Sequence, residues 1–148
     1  MGQPYEPERE VAVRAVRQAA ALCRAVREGV APVAPAKADL TPVTVADFGS
    51  QALVGRALAE AFPADPVLAE EDAADLRRPE AAGLLNQVVR FVRAIRPEAD
   101  EPGILRWLGH GAARGEADRC WALDPIDGTK GFLRGGRKRS VKCVWKVS

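Results

Sequence analysis

The sequence predicts an α/β fold. Three observations carry that reading: long stretches with apolar residues at helical spacing, two short apolar runs that each end on acidic residues, and prolines or glycines punctuating the joins. After Pro7, the apolar residues Val11, Ala15, Ala19, Leu22 and Val26 recur every three or four positions until Gly29, so a first amphipathic helix is expected to stop there. Residues 31–42 hold Pro32, Pro35 and Pro42 and read as a loop or short hairpin.

Thr44-Val45-Ala46-Asp47 has the form of a helix start, with Thr44 as cap and Asp47 in the first turn. Phe48, Leu53, Leu58 and Phe62 carry that second helix to Pro63. Pro66-Val67-Leu68-Ala69 reads as a buried strand that delivers Glu70-Glu71-Asp72 at its end. From Pro79, Leu84, Val88, Phe91, Val92 and Ile95 mark another helix ending before Pro97. The stretch through Gly109, Gly111 and Gly115 reads as an irregular connection with one apolar segment, Ile104 to Leu108. Cys120 to Leu123 forms a second short strand delivering Asp124, and Gly128 is expected to open a further helix.

Composition narrows the class. A chain of 148 residues, 47% hydrophobic and 28% charged, has the size and make-up of one soluble globular domain. No run approaches the ~18 apolar residues of a membrane span. The net charge of +2 is unevenly placed, because Arg137, Lys138, Arg139, Lys142 and Lys146 crowd the last twelve residues without an acid. Setting those five aside from 22 basic residues leaves 17 against 20 acidic ones, so the body is mildly acidic and a nucleic-acid-binding role is not expected. Cys23, Cys120 and Cys143 lack metal-knuckle spacing and no secretion signal precedes them, which predicts a reducing compartment, the cytoplasm rather than an organelle.

The chemistry concentrates in Trp121-Ala122-Leu123-Asp124-Pro125-Ile126-Asp127-Gly128-Thr129-Lys130-Gly131-Phe132. If the strands ending at Glu70 and Asp124 lie side by side, Glu70, Asp124 and Asp127 converge, and each pair at ~5 Å repels by roughly 3 kcal/mol at an effective dielectric of ~20. Cations must offset that, or the acids must protonate. An all-oxygen donor set favours a hard ion, Mg²⁺ before zinc. Gly128, Thr129 and Lys130 at a helix start would offer backbone N–H groups to a phosphate, and Asp47 with the Thr129 hydroxyl would orient an attacking water. That combination is phosphomonoester hydrolysis. Taken alone, Asp127-Gly128 is a turn signal and Asp124 to Asp127 a helix cap. Asp72 reads as a solvated neighbour of Glu70, a reading left open for Glu71, while Lys130 reads as an exposed first-turn lysine and His110 as a loop residue.

The segments Thr41-Pro42-Val43-Thr44-Val45-Ala46-Asp47, Gln51-Ala52-Leu53-Val54, Glu70-Glu71-Asp72 and Trp121 to Gly136 resemble, in order and spacing, the magnesium-dependent, lithium-sensitive phosphatases that include inositol monophosphatase. Within that family they are most similar to the 3′(2′),5′-bisphosphate nucleotidases of sulfur metabolism. The resemblance implies the N-terminal part of a layered α-β-α-β-α sandwich. It also implies that Glu70, Asp124 and the Ile126 carbonyl bind one Mg²⁺, that Asp124 and Asp127 bind a second, that Asp47 and Thr129 activate water, and that Gly128 and Thr129 hold the phosphate. The implied substrate is adenosine 3′,5′-bisphosphate or a relative, with inositol polyphosphates as a second class. Ala69 stands where the family commonly has glycine.

The likeness assigns residues 1–136 to the N-terminal portion of such a domain and leaves 137–148 as a divergent basic tail. Pairing that tail with the sheet through Val141, Val144 and Val147 is expected to place Lys142 and Lys146 awkwardly. Because a full member continues with a second half, an alternative reading is a non-catalytic fragment that binds metal weakly or associates with a longer relative through an exposed sheet edge.

Overall fold

The computed structural model describes residues 4–29, 42–112, 119–127 and 140–147, with Pro42, 125–127 and 140–147 described as backbone alone. Among these described residues, five helices and three strands follow one another in an α/β arrangement: α1 (Glu6–Gly29), α2 (Pro42–Ala61), β1 (Val67–Ala69), α3 (Ala73–Arg77), a 3₁₀ turn (Pro79–Ala81), α4 (Ala82–Ile95), α5 (Glu101–Gly109), β2 (Arg119–Asp127) and β3 (Ser140–Val147). The sheet runs β1-β2-β3, with β1 parallel and β3 antiparallel to the central β2. The first helix buries Val11, Ala15, Ala19, Leu22 and Val26, the stripe its spacing predicts.

Helix α2 is apolar on nearly every side, and it is the hub. Its Val45, Phe48 and Leu53 join α1, α4 and α5 in one core, while Val54 and Leu58 join Val11, Val67, Trp121 and Leu123 in a second core against the sheet. Each fully buried aliphatic side chain contributes roughly 1.5–3 kcal/mol of transfer free energy. Glycine sets the closest approach: a Cβ at Gly55 would collide with the carbonyl oxygen of Trp107 in α5. That contact is backbone, so it cannot be relieved by rotating a side chain.

The strand order is pinned by one buried carboxylate. Asp65, in the connection from α2 to β1, is 6% exposed. It accepts from the Nε of Arg119 at 2.9 Å and from the indole Nε1 of Trp121 at 3.0 Å, and Arg119 also reaches Glu8 of α1 at 3.5 Å. Trp121 stacks on Phe62 with ring centroids 5.7 Å apart. One charge thereby fastens the start of β2 to α1 and to the end of α2.

Three expectations change. Helix α2 begins at Pro42, whose fixed φ suits a first helical position, so Asp47 lies in the second turn and not the first. The connection after Pro97 contains the nine-residue helix α5, capped by Asp100, whose side chain accepts from the Gly103 N–H at 2.8 Å. Gly103 and Gly109 obscured a helix whose buried Ile104 and Leu108 lie one turn apart. Finally, residues 140–147 do pair with the sheet, with Lys142 opposite Asp124 and Lys146 opposite Cys120 in register. Among the described residues β3 is the edge of the sheet, a position where lysine is usual. The helix expected from Gly128 lies outside the described residues.

Gly55→Ala should therefore lower the melting temperature by several degrees, on the order of 2 kcal/mol or more of overpacking. Gly109→Ala, where an added Cβ meets nothing within 4 Å, should leave it unchanged or slightly raised in the same thermal scan. Equal losses in both variants would show that close approach of α2 and α5 is not what Gly55 provides.

Candidate active site

Three elements bring acids together. The parallel pairing of Val67 with Trp121, Leu68 with Ala122 and Ala69 with Leu123 sets the end of β1 beside the middle of β2, so Glu70 and Asp124 each follow the last pair of that ladder, Asp124 still within β2. Helix α2, packed across both strands, supplies Asp47 from its second turn. Glu71 follows Glu70 and is half-buried, while Glu70 is exposed and Asp124 half-buried.

Electrostatics report the convergence. The Asp47 carboxyl is pushed up to about 7 from an ordinary 3.8, chiefly by burial and then by the negative charges of Glu71, Glu70 and Asp124. Glu71 is raised as well, by burial first and then by Glu70 and Asp75. Four carboxylates from α2, the β1 end and β2 thus share one acidic field without a compensating cation among the causes that shift them. Among the described residues no three His, Cys, Asp or Glu side chains stand close enough together to hold a metal ion. The Asp127 side chain and Gly128 and Thr129 lie outside the described residues; Asp127 and Ile126 are placed as backbone at the end of β2. In chemistry the donor set fits a hard divalent cation: it is all oxygen, and it carries excess negative charge that such an ion would offset.

The turn after β1 is held from α2. Gln51, one helical turn beyond Asp47 and 1% exposed, donates from Nε2 to the Glu71 carbonyl at 2.7 Å and accepts the Glu71 N–H on Oε1 at 2.9 Å. The same Nε2 reaches the Leu108 carbonyl of α5 at 3.2 Å. Asp72, which reads as solvated from sequence, is exposed and caps α3 by accepting from the Ala74 N–H at 2.9 Å. Glu71, whose part the sequence left open, is half-buried, and of the neighbouring charges it acts most strongly on Asp47. His110 ends α5 as its C-cap. Gln51 was signalled by a long amide at the fourth position after an acid, within a helix otherwise apolar there.

The profile of the inositol monophosphatase family matches residues 5–143. The chain belongs to the inositol monophosphatase family. It is 41% identical over 146 residues to a 3′(2′),5′-bisphosphate nucleotidase of Emericella nidulans, covering 90% of this chain and 41% of that protein. It is 40% identical over 146 residues to the nucleotidase of the same name from Oryza sativa, with 90% and 41% covered. A 3′(2′),5′-bisphosphate nucleotidase 1 of Arabidopsis thaliana is 38% identical over 143 residues, with 88% and 40% covered. The chain thus spans about two fifths of the length of these curated relatives. Among the described residues no helix is long and apolar enough to cross a membrane.

The raised Asp47 value fixes a pH dependence. Between an unfolded pKa near ~4 and a folded one of about 7 the native state holds a proton that the unfolded chain has lost, so this stabilising contribution is complete below pH ~4 and disappears as pH rises to 7. Asp47→Asn, in chelator-treated buffer, should raise the melting temperature above that of the parent by a few degrees at pH 8 and by little at pH 4. A difference independent of pH would contradict the clustering of charge around Asp47.

Proposed function

We propose that this chain forms the acidic part of a divalent-cation-dependent phosphomonoesterase that removes the 3′-phosphate of a nucleoside 3′,5′-bisphosphate, converting adenosine 3′,5′-bisphosphate to AMP. The observation that carries the reading is the convergence of Asp47, Glu70, Glu71 and Asp124 in a chain similar to proteins named 3′(2′),5′-bisphosphate nucleotidase. In this proposal Glu70, Asp124 and the Ile126 carbonyl hold one Mg²⁺, and Asp124 with Asp127 holds a second. Bound there, the ions supply Lewis-acid charge to the phosphate and lower the pKa of water.

The chain's own residues then divide the work. Asp47, with the Thr129 hydroxyl, orients a water for in-line attack on phosphorus and takes its proton. With its carboxyl pushed up to about 7, Asp47 is close to half-deprotonated at neutral pH, which suits a general base, and a bound cation would make more of the base available. Backbone N–H groups of Gly128 and Thr129 hold the phosphate oxygens. Placement in the cytoplasm, away from membrane and nucleic acid, suits a small phosphorylated nucleotide as partner, or an inositol polyphosphate.

The sheet edges at β1 and β3, among the described residues, favour a second reading, in which this stretch is non-catalytic and binds metal weakly or associates with a longer relative through one of those edges.

Phosphate release from adenosine 3′,5′-bisphosphate by the 148-residue chain, with Mg²⁺ titrated and Li⁺ added, separates the two. The enzyme reading expects Mg²⁺-dependent turnover that Li⁺ inhibits and Asp124→Asn lowers by roughly 100-fold or more. Folded protein with no turnover at any Mg²⁺ concentration would leave the second reading.

A further inference from the structure

Glu71 follows the last residue of β1 by two positions and pairs with no strand among the described residues, yet both of its backbone polar groups are taken by one side chain. The Gln51 amide donates to the Glu71 carbonyl at 2.7 Å and accepts the Glu71 N–H at 2.9 Å, the two-bond pattern by which a neighbouring strand would pair with that residue. Gln51 extends β1's ladder by one step with a side chain in place of a strand.

What Gln51 ties together matters more than the bonds themselves. Asp47 stands one turn earlier on α2, so the stretch from Asp47 to Gln51 is rigid helix. Glu70 and Glu71 lie on the exposed turn that Gln51 grips, and that turn otherwise leads straight into the cap of α3 at Asp72. The third bond, from Gln51 Nε2 to the Leu108 carbonyl at 3.2 Å, braces the amide against α5, so its orientation is set from a second helix. A side chain 1% exposed with all these partners cannot swing aside to let the turn drift.

We infer that Gln51 is a positioning residue for the proposed cation site: it fixes the turn carrying Glu70 and Glu71 at a set distance from Asp47, and so sets the affinity of the acidic cluster for a divalent cation. The inference rests on the cation-dependent reading of the site given above. Glu70 and Glu71 repel Asp47, and the turn relaxes away from α2 when no amide holds it. Outer partners that hold ligating groups in place commonly account for 10–100-fold in metal affinity.

The test is Mn²⁺ and Mg²⁺ binding to the full chain by titration calorimetry, paired with amide hydrogen exchange at Glu71, for the parent, Gln51→Leu, Gln51→Asn and Leu84→Ala. Gln51→Asn keeps the amide but is one methylene too short to reach as far, and it serves if the leucine variant does not fold. Leu84→Ala, in the α4 part of the core, is the control for lost stability alone. The expected result is faster exchange at Glu71 and at least ~10-fold weaker cation binding in the Gln51 variants, with exchange in the α4 core retained and Leu84→Ala binding within about twofold of the parent. Binding unchanged in Gln51→Leu or Gln51→Asn while Glu71 exchanges faster overturns the positioning role and leaves the cation-dependent reading standing. Equal weakening in Leu84→Ala also overturns it, reducing Gln51 to a stability residue. A parent chain that binds neither ion at millimolar concentration overturns the cation-dependent reading itself, and this inference with it.

Discussion

The structure depends on the enclosure of α2. A twenty-residue helix with apolar side chains around most of its circumference has no stable place at a surface, and its neighbours are arranged to cover it: α1, α4 and α5 on one side, β1 and β2 on the other. Gly55 lets the backbone of α5 approach to contact. Once α2 is enclosed, anything polar that it carries is committed to a defined neighbour. Asp47 meets the ends of both parallel strands, and Gln51 meets the turn between β1 and α3.

That arrangement works against itself electrostatically. Burial and three neighbouring carboxylates drive Asp47 toward its protonated form, which is a destabilising load at neutral pH. Hydrophobic burial and the Gln51 amide hold this charge distribution in place. The strain lies in the charge and not in the backbone, because the only non-glycine residue with positive φ among those described is Tyr5, far from the acids in sequence.

Much of this was legible from residue order alone. The apolar stripe of α1 stands where spacing put it; the strand before Glu70 is in place but buries only Val67, with Leu68 and Ala69 exposed, and the second strand runs on past Leu123 through Asp124 to Asp127. Asp47, Glu70 and Asp124, singled out in the sequence, lie near enough that the charges of Glu70 and Asp124 act on Asp47. Helix α5 was hidden by Gly103 and Gly109, whose weak propensity is overridden by packing of Ile104 and Leu108 and by the Asp100 cap. Glu71 was hidden for a different reason: its burial depends on a contact with Gln51, twenty residues away, that no local pattern encodes. The pairing of residues 140–147 was hidden because lysines that would be costly in a central strand are ordinary on an edge, and edge status belongs to the whole sheet.

Asp65 also acts as a check on strand parity. It recognises Arg119 and Trp121, two residues apart and therefore on the same side of β2, by a guanidinium and an indole that no other adjacent pair in the strand offers. A slip of one position would present Cys120 and Ala122 to a buried carboxylate and leave it unmatched, while turning every later side chain of β2, Asp124 included, to the opposite face. The ion pair at one end of the strand thereby rejects misaligned sheets before the acids at the other end can be wrongly assembled.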